Sequence, residues 1–338
     1  MSESNLDLEL LDDYLGSHVE GFGRLRNVSK FSGGQSNPTF LLETTSAKYV
    51  LRRQPSGELL KSAHAVDREF RVMQALADSG VPVPRMYHLC ENRDILGSLF
   101  FVMEFLPGRT FWDPVIPGCD NQQRGEIYDN MNQVLAALHS VDVNAAGLGD
   151  YGRPGNYFER QINRWSRQYE SSKTVDLPAM DRLIRWLPEN LPADDGQVSL
   201  IHGDYRIDNL MFAADGTEVL AVLDWELSTL GHPYADLAYQ CMGWLLPHDA
   251  VIRGLGGVER ESLGIPAEHE YVSRYCQRRG LSEIPYWPFY KVFSLFRFAA
   301  ILQGIERRRL DGNASSDRAA EYGAMAPMLA AMGAELIN

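Results

Sequence analysis

The rhythm of hydrophobic and polar positions changes about a third of the way along the chain. Before residue 107 the apolar positions come in short runs, LRNVSKF, PTFLLET, KYVLRRQ, RMYHLC and SLFFVMEFL. Each has the length of a strand and is bounded by glycine, proline or a polar turn. Between the third and fourth runs the spacing widens: Val66, Phe70, Met73 and Leu76 fall on one face of a helix that Gly80 stops. Alternating apolar and acidic residues over 5–18 predict a short leading helix. After Pro107-Gly108 long amphipathic segments take over, near 121–139, 156–171, 177–189, 233–246, 267–280, 286–310 and 315–336. Short strands near 210–213 and 218–223 interrupt them. The expected fold class is α+β with two lobes. A small antiparallel sheet with one helix occupies 1–105, a mainly helical lobe occupies 106–338, and a ligand cleft lies between them.

Composition narrows the partners. The net charge of −13 over 338 residues argues against nucleic acid, which needs clustered Lys and Arg. Any nucleotide bound here must meet local cations or a metal. The most apolar stretch, FYKVFSLFRFAAIL, is broken by Lys291 and Arg297, so no membrane span is expected. The acidic start, MSESNLDLELLDDYL, lacks a secretory pattern. Cys90, Cys119, Cys241 and Cys276 form no CxxC pair. Together these predict a soluble cytoplasmic protein with reduced thiols.

The candidate chemistry lies in LIHGDYRIDNLMF (200–212) and VLAVLDWE (219–226). Apolar residues flank His202, Asp204, Arg206, Asp208 and Asn209, and a second apolar strand ends at Asp224. Phosphoryl transfer requires this layout: one carboxylate accepts a hydroxyl proton, while an amide oxygen and a second carboxylate hold the metal that neutralises the phosphates.

With these residues in view, the chain resembles the aminoglycoside phosphotransferase and choline kinase family within the protein-kinase-like fold. His202-Gly203-Asp204 with Asn209 matches its HGDxxxxN, and Leu223-Asp224-Trp225-Glu226 its short metal motif. The resemblance implies ATP and Mg2+ as cofactors, Asp204 as catalytic base, and Asn209 and Asp224 as metal ligands. It also implies a nucleotide loop at 31–37, with Ser32, Gly33, Gly34, Ser36 and Asn37 around the phosphates. A cation from KYVLRR would be oriented by Glu69; Arg52 fits that place, with Arg53 as the competing choice. In FVMEFLPG, backbone groups from Glu104 to Leu106 would meet the adenine edge, and Met103 would line its pocket. Asp236 and His202 would brace the catalytic loop. Arg206 would meet substrate, phosphate or a salt-bridge partner. The stripe Arg297, Ile301, Gly304, Arg308 would face an anionic acceptor. VLRRQPSGELLKSAHAVDREFRVMQAL, GLGDYGRPGNYFERQINRW and LDWELSTLGHPYADLAY are similar to the subgroup associated with acyl-CoA dehydrogenases. That kinship implies hydroxyacyl-type acceptors and a functional link to such a dehydrogenase.

Three rivals were weighed. A protein kinase would need HRD and a long loop after Asp224, whereas only about a dozen residues separate Asp224 from Asp236. A nucleotide-binding scaffold would not need all three polar residues. A metal-dependent hydrolase would need further His or Asp ligands, for which His232 is the one obvious candidate. Gly147–Gly152 satisfies GxGxxG, but it follows a helix and enters another loop, so a turn is expected in place of a dinucleotide site.

Overall fold

The computed structural model describes residues 7–31, 37–55, 65–313 and 318–337. The first part of the chain runs α1 (Leu8–His18), β1 (Leu25–Lys30), β2 (Thr39–Thr44), β3 (Lys48–Arg53), α2 (Val66–Leu76), β4 (Met86–Cys90), α3 (Arg93–Leu96) and β5 (Phe100–Glu104). Its strands form one antiparallel sheet in the order β1-β2-β3-β5-β4. Side chains alternate across that sheet. Phe100 and Val102 join Leu11, Leu15 and Phe22 on one face, while Phe101 joins Val72, Met73 and Leu76 of α2 on the other. The sheet is thus covered twice. The one-helix expectation missed the packing role of α1, although its buried Leu11 and Leu15 stand one helical turn apart.

Beyond β5 the chain enters a mainly helical part. It contains β6 (Gly108–Arg109), α4 (Asn121–Leu138), α5 (Tyr157–Ser172), α6 (Pro178–Glu189), β7 (Ser199–Ile201), β8 (Leu210–Ala213), β9 (Val219–Val222) and β10 (Thr229–Gly231). Then follow α7 (Tyr234–Cys241), α8 (Glu268–Arg279), α9 (Trp287–Leu310), α10 (Ala319–Gly323) and α11 (Ala326–Glu335). The helices begin and end on local signals. At α4, Asp120 accepts from the Gln123 N–H while the Gln123 side chain accepts from the Asp120 N–H. At α8, Gly280 takes φ +66°. The single helix expected over 315–336 is two, because Pro327 lacks the N–H a continuous helix needs and starts α11 afresh. Helix α9 is the axis of this part, burying Val292, Phe293, Leu295, Phe296 and Ala300 against its neighbours.

One further contact positions the site. The guanidinium of Arg68 on α2 lies 4.0 Å from the Tyr151 ring centroid and donates to Tyr151 O at 2.8 Å, and the Tyr151 hydroxyl pairs with Ser228 Oγ at 2.7 Å. Arg71 of α2 donates to Gly147 O at 2.8 Å. The GxGxxG stretch is therefore a loop that ties α2 to the helical part. Among the described residues, no helix is long and apolar enough to cross a membrane.

Candidate active site

Two short antiparallel pairs, β7 with β10 and β8 with β9, build the site. Strand β8 begins directly after Asn209, and its pairing with β9 sets Leu210 opposite Val222. Leu223 N–H then donates to Asn209 O at 2.9 Å, which carries Asp224 to the side of Asn209. Asp224 leaves the strand at φ +64°, a left-handed conformation that an aspartate tolerates better than most residues. Asn209 Nδ2 donates to Asp204 O at 2.8 Å and to Asp204 Oδ2 at 3.0 Å. Register thus gathers side chains from two separate segments.

The loop carrying Asp204 is held from below. Asp236, fully buried on α7, accepts from the His202 N–H at 2.6 Å and the Gly203 N–H at 2.9 Å. Burial would push its carboxyl up, but His139 and these loop groups hold it below the usual carboxylate range. Asp204 N–H donates to His202 Nδ1 at 3.2 Å, so that nitrogen is the acceptor; Nε2 carries the proton and donates to Leu223 O at 2.8 Å. His202 therefore joins the two motif segments, as a support of the loop. Gly203 takes φ +86°, and a Cβ there would stand 2.6 Å from Leu227 O. Only glycine fits.

Above the loop lies a charge cluster. Alternation along β3 sends Arg52 and Arg53 to opposite faces. Arg52 reaches Glu69 of α2 at 3.2 Å and Asp224 at 2.5 Å. Arg53 is buried on the other side, donating to Leu96 O at 3.3 Å over the Phe40 ring. The geometry puts Arg52, not Arg53, in the cleft. Burial works against the Arg52 cation, yet Glu69, Asp224 and Glu226 outweigh it and raise its affinity for the proton. Glu69 is pushed up to about 7, by burial first and then by Asp224 and Glu226, with Arg52 and Asn37 opposing. Glu226 is a member of this cluster that motif reading passed over, although it directly follows Asp224-Trp225.

The other expected nucleotide contacts fall variously. Ser32, Gly33, Gly34 and Ser36 lie outside the described residues. Asn37 is buried and its Nδ2 donates to Glu69 Oε1 at 2.9 Å, so its amide supports the charge cluster. Met103 packs against the main core from β5. Glu104 uses its side chain and its N–H on Arg85, at 3.1 and 2.9 Å, and Leu106 O accepts from the Gly108 N–H at 3.0 Å.

The donor set suits a cation shared with phosphates. Asn209 offers an amide oxygen and Asp224 a half-exposed carboxylate with one oxygen beyond Arg52. Both are hard ligands of the kind magnesium takes one or two of, completing its shell with phosphate oxygens and water. Among the described residues, no group of three or more His, Cys, Asp or Glu side chains is set to cage a metal.

On the far side of Asp204 opens a cavity of about 750 Å³. Asp204, Arg206 and Asp208 line one end. Leu246, Ile252, Phe298, Ile301 and Ile305 form apolar walls, and Arg253 and Arg318 also border it. Arg206 stands 3.3 Å from Asp204 and 2.7 Å from Asp208. Burial opposes its charge, but the two carboxylates more than compensate. Tyr239 and the loops around Asp113 and Ile252 also belong to this wall, and no motif announced them. Asp113 clasps the second loop through His248 at 3.0 Å and Arg253 at 2.5 Å. The expected acceptor role of Arg297 is corrected: it is buried and donates to Gly203 O at 2.7 Å, because its position on α9 turns it under the catalytic loop. Of that stripe only Ile301 lines the cavity.

Residues 27–272 match the sequence profile described as the phosphotransferase enzyme family. The mouse protein named acyl-CoA dehydrogenase family member 10 is 47% identical over 321 residues, 95% of this chain but 30% of its own length. The chain therefore spans about a third of that relative. The crystal structure of an aminoglycoside phosphotransferase candidate from Ralstonia eutropha JMP134 superposes with a TM-score of 0.90 at 50% identity, covering 98% of both chains. A ternary complex of aminoglycoside phosphotransferase APH(4)-Ia with AMP-PNP and hygromycin B shares the fold, at a TM-score of 0.62 and 17% identity, over 96% of this chain and 98% of that one.

Proposed function

The chain belongs to the phosphotransferase enzyme family and is a small-molecule kinase, and from that premise we propose that it moves the γ-phosphate of ATP onto the hydroxyl of an amphipathic, hydroxyacyl-type acceptor, with Asp204 as base. The observation that carries this reading is the position of Asp204. Its carboxylate is hydrogen-bonded to Asn209 in the charge cluster and also lines the end of the large cavity. A base must stand between the two reactants, and this is the place where the two compartments meet.

On the nucleotide side, Arg52, oriented by Glu69, contacts the phosphates once its bond to Asp224 is exchanged for them. Asn209 and Asp224 would hold magnesium, which would supply charge neutralisation for the transferring group. The backbone from Glu104 to Leu106, with Met103, meets the adenine end of the nucleotide. On the other side, Asp204 takes the proton of the acceptor hydroxyl. Arg206, balanced between Asp204 and Asp208, fixes the carboxylate and faces the incoming phosphate. The contribution of the chain is positioning and charge, with no covalent intermediate. AMP-PNP in the APH(4)-Ia complex supports ATP as the donor here.

The cavity supports the acceptor class. Its apolar walls suit an alkyl segment better than a polycation such as an aminoglycoside, while the bordering Arg253 and Arg318 are already paired with Asp113 and Glu321. The name of the mouse relative supports a link to an acyl-CoA dehydrogenase reaction. The test is ADP release with MgATP over hydroxyacids, hydroxyacyl-CoA esters, amino alcohols, sugars and aminoglycosides. Turnover concentrated in the hydroxyacyl compounds is expected. Equal turnover of an aminoglycoside would overturn the acceptor class, and no turnover with any acceptor would overturn the kinase reading.

A further inference from the structure

Arg297 is the one charged side chain around the catalytic loop whose role the proposed chemistry leaves open. It is 6% exposed. Burying a guanidinium is unfavourable by several kcal/mol unless it is paired. Yet among the described residues no carboxylate forms an ion pair with it. Its guanidinium stands 5.8 Å from the Trp165 ring centroid and 5.2 Å from that of Tyr239, and its Nη2 donates to the neutral carbonyl of Gly203 at 2.7 Å.

That carbonyl belongs to the peptide unit leading into Asp204. The same unit contributes the Asp204 N–H, which donates to His202 Nδ1 at 3.2 Å. The preceding N–H, of Gly203, is held by Asp236 at 2.9 Å. Gly203 is also the residue whose left-handed backbone leaves no room for a side chain. A glycine flanked by two fixed peptides has low barriers to rotation about its own bonds unless both planes are tied. Asp236 ties the first plane, and Arg297 and His202 tie the two ends of the second. Rotation of that second plane would swing the Asp204 carboxylate away from Asn209 and the cavity.

We infer that Arg297 is a positioning residue for phosphoryl transfer: from α9 it locks the Gly203–Asp204 peptide plane and so aims the Asp204 carboxylate. The rings of Trp165 and Tyr239 hold the guanidinium by cation–π contact, which orients it without neutralising it. Tyr239 serves doubly, since it also lines the cavity beside Asp204. The inference rests on Asp204 as the base and adds how that base is kept in register.

The experiment compares Arg297→Met, Arg297→Lys and Asp204→Ala in the full chain. MgATP hydrolysis is followed with water as the acceptor, and amide hydrogen exchange is measured on the same proteins without nucleotide. Removing a positioning group is expected to lower kcat for R297M by roughly 30- to 100-fold with KM for MgATP within about 2-fold. R297K, which keeps one donor, is expected to lose about 5- to 10-fold. In R297M, exchange at Gly203 and Asp204 is expected to accelerate about 10-fold while β7 stays unchanged. A wild-type kcat in R297M, or unchanged exchange at residues 203 and 204, overturns the inference while leaving Asp204 as the base. Should R297M not fold, R297K decides: a wild-type kcat in that variant overturns the role. Near-normal hydrolysis in D204A overturns the base itself, whatever the arginine variants do.

Discussion

The two sides of Asp204 are built on different principles. On the nucleotide side, Arg52, Glu69, Asp224 and Glu226 crowd opposite charges into a small space, and every member is fixed by a partner. On the acceptor side, a cavity of about 750 Å³ is bounded by helix faces and loops whose charges pair among themselves, as in Asp113 with Arg253. Phosphate and magnesium make the same demands in every such enzyme, so few residue types can serve on the first side. Shape and hydrophobicity can be met by many combinations, so the second side is free to vary.

The sharpest way to break this contrast is at the residue both sides share. Asp204→Ala is expected to lower transfer by at least about 1,000-fold, while titration with a fluorescent ATP analogue shows nucleotide affinity nearly unchanged. Asp224→Asn, confined to the charged side, is expected to lower turnover by roughly 100-fold and to raise the magnesium concentration giving half-maximal rate. Its KM for the acceptor should stay within about 2-fold of wild type, and a larger change would show that the two sides are not separable. On the apolar side, Ile301→Trp fills part of the cavity and is expected to raise KM for the acceptor about 10-fold with MgATP hydrolysis unaltered. A matching loss of hydrolysis would place Ile301 on the nucleotide side.

The smallest effect is one of pH. Glu69 is raised from 4.5 to about 7 by burial among like charges. The folded state therefore binds this proton more tightly than the unfolded chain does. The stabilisation is fully present below pH 4.5 and is lost as pH rises through about 7. Unfolding free energies from urea titrations are expected to fall between pH 5.5 and 8 by an amount on the order of 1–3 kcal/mol, and Glu69→Gln should flatten that slope. An equally steep slope in the glutamine variant would assign the effect to another group.

What the sequence disclosed follows the same division. HGDYRIDN and LDWE announced Asp204, Asn209 and Asp224, and the pairing of β8 with β9 brings the two segments together. The strand runs disclosed β1 to β5 because each is a short apolar run bounded by glycine, proline or a polar turn. Glu226 was given no role because its influence on Arg52 acts between positions about 170 residues apart in the chain. Tyr239 and the loops around Asp113 and Ile252 left no trace, since nothing in local spacing says which helix face will border a void. Arg297 was placed on the wrong side for a related reason. Helical periodicity put it in line with Ile301, but one turn along α9 is enough to exchange the cavity for the underside of a loop.

The close approach of Gly203 to Leu227 restricts the motif itself. Protein kinases place an arginine where this chain has that glycine, and here even the first carbon of a side chain would meet a main-chain oxygen. A side chain could stand at position 203 only after the backbone around Leu227 had been rerouted.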